Sequence, residues 1–132
     1  MIANVATLNK IELNSIKGPI ERYFTLDSLH QLCNSAIGKP VTLGFNGISM
    51  GKVDKAWVDL EKGRAFVEFT TDVTLSYLPK YLVPGLKITT TEKLKFKTVR
   101  CIDFALTDKP VDKTLLTIQE LNNDNSHIGQ GG

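Results

Sequence analysis

Residues 37–59 read IGKPVTLGFNGISMGKVDKAWVD, and their order of turn-formers and apolar residues decides the fold class. Gly38 stands where a preceding helix would close in a left-handed residue, and Pro40 bars that helix from continuing. Val41, Leu43 and Phe45 then fall at every second position, the spacing of one strand face. Asn46-Gly47 supplies a hairpin turn, and residues 51–60 form the next strand, with Val53 and Trp57 expected on the same side.

The pattern extends in both directions. Downstream, Glu61-Lys62-Gly63 turns the chain into residues 64–71, where Ala65, Val67 and Phe69 alternate with Phe66 and Glu68. The two runs predict an antiparallel hairpin with one face in the core. Residues 75–84 hold Pro79 and Pro84 among large apolar residues and read as an irregular crossing with one helical turn. Residues 86–91, 95–106 and 114–118 complete the expected strands. Upstream, Thr25 caps a helix running to about Ala36, with Leu26, Leu29, Leu32 and Cys33 on one face. The expected fold is mainly β (α+β), a small curved sheet or barrel of about six strands with one helix near the N-terminus. Residues 1–24, with alternating Ile11 and Leu13 and a turn at Gly18-Pro19, read as an N-terminal arm or short strand. Residues 25–118 form the β-rich domain, and the polar, glycine-ended segment 119–132 reads as a flexible tail. Trp57, Phe66 or Phe69, Val99 and Phe104 are expected to dominate the core, with Trp57 spanning much of it.

Bulk properties narrow the function classes. A chain of 132 residues with 42% hydrophobic content fits one domain with a real core. A net charge of +2 is too small to call for nucleic acid or an anionic membrane as partner. Cys33 and Cys101 have no metal or redox spacing and read as buried free thiols. No apolar run approaches a membrane span, and the opening MIANVATLNKIELNS lacks the apolar block of a secretory signal. The expected setting is the cytosol of the producing cell or a particle assembled there.

The reactive residues are scattered. A hydrolytic nucleophile needs a base within hydrogen-bond reach, yet the histidines are His30, on the helix, and His127, in the tail. Thr89, Thr90 and Thr91 read as β-branched strand residues, with Lys87 the one candidate base near them. Asp103, Asp108 and Asp112 are spaced irregularly, and Asp108 before Lys109-Pro110 reads as a turn residue. Gly44, Gly47 and Gly51 precede no helix that could receive a phosphate, so hairpin turns explain them. Lys93, Lys95, Lys97 and Arg100 form the one basic cluster. With Phe96 beside them they could be a nucleic-acid strip, but lysines guarding a solvated strand edge are the plainer reading. No catalytic, cofactor-binding or metal-binding residue is assigned, and no cofactor is expected.

Two segments carry a resemblance. Residues 38–59 give GKPV, a short loop, then GKV and a strand. Residues 102–116 give a strand ending Leu106-Thr107-Asp108, then Pro110 and a short strand. In this order and spacing they resemble the barrel of the tailed-bacteriophage prohead (capsid maturation) protease family. That family pairs a His after the first strand with a Ser in a segment like G-L-S-I-G. Here Phe45, Asn46 and Gly47 hold the first place, and Gly85-Leu86-Lys87-Ile88-Thr89 the second, with Lys87 in place of the Ser. The resemblance therefore implies the fold and a phage-head setting without the catalytic pair, that is, not an enzyme.

An inactive barrel of this kind is expected to be a virion protein that binds and stabilises the capsid shell, a decoration or cement protein. The alternatives are a prohead protease or protease-associated assembly factor, and a nucleic-acid-binding β-barrel. The expected partner is the major capsid protein, with self-association as a trimer or dimer; neither membrane nor nucleic acid is expected. The expected contact residues are Ile2, Val5 and Leu8 of the arm and Tyr77, Leu78, Tyr81 and Leu82 of the proline-bounded segment.

Overall fold

Thr25 and Ser28 start the helix by bonding reciprocally. The Ser28 amide donates to Thr25 Oγ1 at 3.0 Å and the Thr25 amide to Ser28 Oγ at 2.8 Å. Helix α1 spans Leu26–Ala36 and buries Leu29, Leu32, Cys33 and Ala36. Gly38 then takes φ +81°, the left-handed conformation that glycine adopts without a Cβ penalty. The structure, a computed structural model, describes residues 1–16, 18–45, 47–92 and 94–122.

Among the described residues eight strands surround this helix: β1 (Ile2–Thr7), β2 (Ile11–Ser15), β3 (Gly18–Phe24), β4 (Pro40–Leu43), β5 (Ser49–Asp59), β6 (Arg64–Thr71), β7 (Tyr81–Glu92) and β8 (Lys95–Thr107). A 3₁₀ turn at Leu75–Tyr77 precedes β7, and a helical turn covers 118–122. The sheet order is β1-β6-β5-β4-β8-β3-β2, with β7 paired to β8. The protein is thus mainly β with a strongly curled, barrel-like sheet. It has two strands more than the pattern of apolar residues suggests, and its helix follows three strands.

Strand β8 organises the sheet. Antiparallel β7 pairs along its length on one side. On the other side β3 pairs in parallel at residues 95–96 and β4 at residues 104–106. Between them no strand pairs among the described residues, and α1 supplies the missing partners. The Val99 amide donates to Gln31 Oε1 at 2.9 Å and the Cys101 amide to Ser35 Oγ at 2.8 Å, while Gln31 Nε2 donates to the Lys97 carbonyl at 3.2 Å. Buried backbone groups need such partners, and two polar helix side chains stand in for a strand.

The core fills the inside of the curl with Phe69, Phe96, Phe104, Leu29, Leu32, Leu82 and Ile118. Phe24 and Phe96 meet edge-to-face at 5.0 Å between ring centroids. Trp57 does not belong to it. The β5–β6 register shifts between Val53 and Lys55, so one extra residue reverses the alternation. Val53 is buried, whereas Trp57 turns to the outer face, stacks on Phe66 at 5.9 Å and stays 39% exposed.

Of the two readings of residues 1–24, an arm or a short strand, strand is the one seen, with three strands in place of one. β1 pairs with β6 and buries Ala3, Val5 and Ala6, and the β2–β3 hairpin joins the sheet through β8. Residues 114–118 are not a strand. Segment 108–122 instead runs as a strap antiparallel to β1, held by side chains. Thr7 Oγ1 donates to Asp112 at 2.6 Å, the Leu116 amide to Asn4 Oδ1 at 3.1 Å, and the Ile2 amide to Asn122 Oδ1 at 2.9 Å. Residues 119–122 of the expected tail are therefore tied down, and 123–132 lie outside the described residues.

Both thiols are free and buried. Burial pushes Cys33 up to about 11, and burial reinforced by the Asp103 charge pushes Cys101 up to about 12. Against the ordinary value of 9.0, Cys33 then carries about a hundredfold less thiolate near pH 8. The native protein should react at least that much more slowly with a thiol reagent at pH 8 than the urea-unfolded chain; equal rates would place the thiols in solvent. Raised folded-state values mean a contribution that is complete below pH 9 and lost as pH rises from 9 towards 12.

Candidate functional site

An apolar cleft of about 470 Å³ opens beside β7. Val5 and Ala6 of β1 form one wall, and Phe24, Ile88 and Phe96 another. Val83, Ala105 and Leu115 pack together against Tyr81, bringing the strap onto the β7–β8 pair. Phe45, Lys109 and Val111 also border the cleft, and Phe45 and Val111 are about half exposed. β7 pairs only with β8, so it is a sheet edge among the described residues, which is where Pro84, lacking an N–H, is tolerated.

The polar groups of this cleft are few and mostly engaged. Asp112 is buried and accepts from Thr7 Oγ1, from the Thr114 amide at 2.9 Å and from Thr114 Oγ1 at 2.5 Å. Those bonds fix the strap and leave its carboxylate poorly placed to take a proton from a ligand. The β4–β5 loop and β7 meet at Gly85, where an added Cβ would collide with the Asp103 carboxylate and lie 3.1 Å from the Phe45 ring. A side chain there would have to displace the Asp103 carboxylate of β8, its nearest contact, and press on the Phe45 ring. Phe45, Gly85, Leu86 and Ile88, far apart in sequence, thus converge on one cleft, and Phe45 and Ile88 help make it apolar.

The other reactive candidates lie apart. His30 is exposed on α1, and Lys87 is exposed and lines a different groove. Asn46, Lys93 and His127 lie outside the described residues, as do the side chains of Thr89, Thr90 and Thr91. Asp103 is half-buried beside Gly85, and Asp108 accepts the Lys80 amide at 2.9 Å. Among the described residues no three His, Cys, Asp or Glu side chains are grouped as a metal site requires. No helix among them is long and apolar enough to cross a membrane.

The expected contact residues divide sharply. Val5, Leu78 and Leu82 are core residues: Val5 on β1 and Leu82 on β7 turn into the curl, and Leu78, just after the 3₁₀ turn, is buried as well. Leu78 and Leu82 therefore offer no exposed contact surface, and Val5 does so only as part of the cleft wall. Ile2 and Tyr81 are half-buried. Leu8 is exposed and its side chain lies against Gly63, and Tyr77 is 82% exposed. The sequence reading passed over Phe45, Ile48 and Val111, all exposed apolar residues in or beside turns. Their signal was available: a large apolar residue flanking a turn has no core to enter. Compared with protein-family models, curated proteins and solved structures, the chain matches none.

Proposed function

We propose that this chain is a structural virion protein of a tailed phage that binds the capsid shell, without enzymatic activity. The observation that carries the reading is the apolar cleft bordered by half-exposed Phe45 and Val111. Phe45, at the position the resemblance to the prohead protease barrel would give to the His, borders it, whereas Lys87, at the Ser position, lines the other groove; the cleft's apolar side chains suit docking rather than proton transfer. Under this reading a segment of the major capsid protein inserts apolar residues between Phe45 and Val111. Self-association as a trimer or dimer would let several clefts engage neighbouring shell subunits at once, raising affinity without new contacts.

Burial of β1 makes removal of residues 1–10 a test of folding rather than of attachment. The informative variant is Phe45→Ser with Val111→Ser. Co-sedimentation with purified shells of the phage that encodes the chain should fall at least about tenfold in affinity, as loss of two apolar anchors implies. Tyr77→Ser should have a smaller effect. Undiminished decoration by the double variant, or no co-sedimentation of the parent, would overturn the assignment.

A further inference from the structure

Lysines on β8 would be unremarkable if they guarded a free edge, but β8 is not one. It pairs with β7 on one side and is filled by β3, α1 and β4 on the other. Lys95, Lys97 and Arg100 are nonetheless exposed on it. Lys87 of β7 stands directly opposite Arg100 in register, and both are exposed. Like charges facing each other across a strand pair destabilise it, and neither packing nor edge protection calls for a cation at Arg100. The ion pair among the described residues, Lys55 with Glu68, lies on β5 and β6, so no described carboxylate answers this pair. Within residues 81–107, five cations (Lys87, Lys93, Lys95, Lys97, Arg100) oppose two carboxylates (Glu92, Asp103), a net +3 that leaves the rest of a +2 chain at −1.

The pair also has a shaped setting. A groove of about 490 Å³ lies where α1 meets the β7–β8 hairpin, with Lys87 and Arg100 on the sheet side and Asn34 on the helix side. Gln31 and Ser35, also in its wall, are already committed to the β8 backbone. The exposed Asn34 amide adds a donor beside the two cations.

We infer that this groove binds a carboxylate-rich segment of a partner protein, with Arg100 gripping one carboxylate through its planar fork, Lys87 a second, and Asn34 completing the contact. This surface is separate from the apolar cleft and does not depend on the shell-binding reading. Carboxylates fit better than a nucleic acid because a single-stranded ligand wants exposed aromatic platforms, and Phe96, the aromatic beside the lysines, is buried. Arg100 matches planar carboxylates two bonds at a time, and two opposed cations suit acidic side chains spaced along an extended chain.

The test titrates the full chain with a labelled peptide of alternating glutamate and serine, and separately with a 12-nucleotide single-stranded DNA, at low and moderate salt. The peptide should bind and shift the amide resonances of Asn34, Lys87 and Arg100. Lys87→Gln with Arg100→Gln should weaken it about tenfold, as loss of two solvent-facing ion pairs implies. Lys52→Gln, on β5, should leave binding unchanged. Because Lys87 and Arg100 are exposed, the double variant should melt no lower than the parent; where it does not fold, the resonance map on the parent decides. Peptide binding that ignores the double substitution, shifts that map elsewhere, or tighter binding of the DNA would each overturn the proposal.

Discussion

Asn4→Leu should lower stability by roughly 3 kcal/mol or more and release the strap from β1. Asn4 is fully buried yet polar. Its Nδ2 donates to the Ala6 carbonyl at 3.1 Å and to the Ala65 carbonyl at 2.9 Å. Its Oδ1 accepts from Arg64 Nη1 at 2.7 Å and from the Leu116 amide at 3.1 Å. One side chain therefore joins β1, β6 and the strap. Leucine has nearly the same size and can offer none of these bonds. Each buried group left without a partner costs about 1–3 kcal/mol, and Ala6, Ala65 and Leu116 would each lose one. The strap can recover part of the cost by peeling into water. Urea unfolding should thus show a lower midpoint, and limited proteolysis should cut within residues 113–122 under native conditions. An unchanged midpoint with a protected strap would show that these bonds contribute little.

Phe69→Ala should cost about 3–5 kcal/mol, the usual range for deleting a fully buried phenyl group. Phe69 is 0% exposed and sits opposite Val53 in the β5–β6 register. Its backbone amide donates to the Met1 carbonyl at 2.8 Å, a bond that the substitution leaves in place, so the expected loss is that of the ring's packing. A domain of this size has about 5–15 kcal/mol in total, so the variant should be partly unfolded at room temperature or melt far below the parent. Unlike Asn4→Leu, it should loosen the whole body together. Trp57→Ala offers the contrast: that side chain lies on the outer face, and its truncation should cost clearly less. Equal losses at Phe69 and Trp57 would contradict the placement of the core.

The parts of this fold that follow local rules were legible in the residues. Thr25, Leu29, Leu32 and Gly38 mark the helix from cap to stop. Ala65, Val67 and Phe69 alternate as they pack. What was hidden depended on partners distant in sequence. Trp57 changed faces because of one extra residue at the β5 bulge, which a strict two-residue alternation does not register. β1 escaped notice because Asn4 and Thr7 break its apolar pattern, and their burial makes sense only with the strap laid over them. The cleft was half readable. The resemblance drew attention to Phe45 and Gly85, but Val111 and Leu115 join it only through the path of the strap. The groove on the hairpin required knowing that β8 is an interior strand, which is a property of topology.

The substitution of helix side chains for a strand beside β8 makes two amide protons into gauges of a single event. Val99 and Cys101 are shielded by Gln31 and Ser35, so their hydrogen exchange is timed by the undocking of α1. Amides of β8 held by β7 report instead on separation of the hairpin. Comparing the two sets distinguishes a helix that lifts away from a sheet that comes apart, within one strand and one experiment. A ligand seated between α1 and the hairpin would slow the first set selectively.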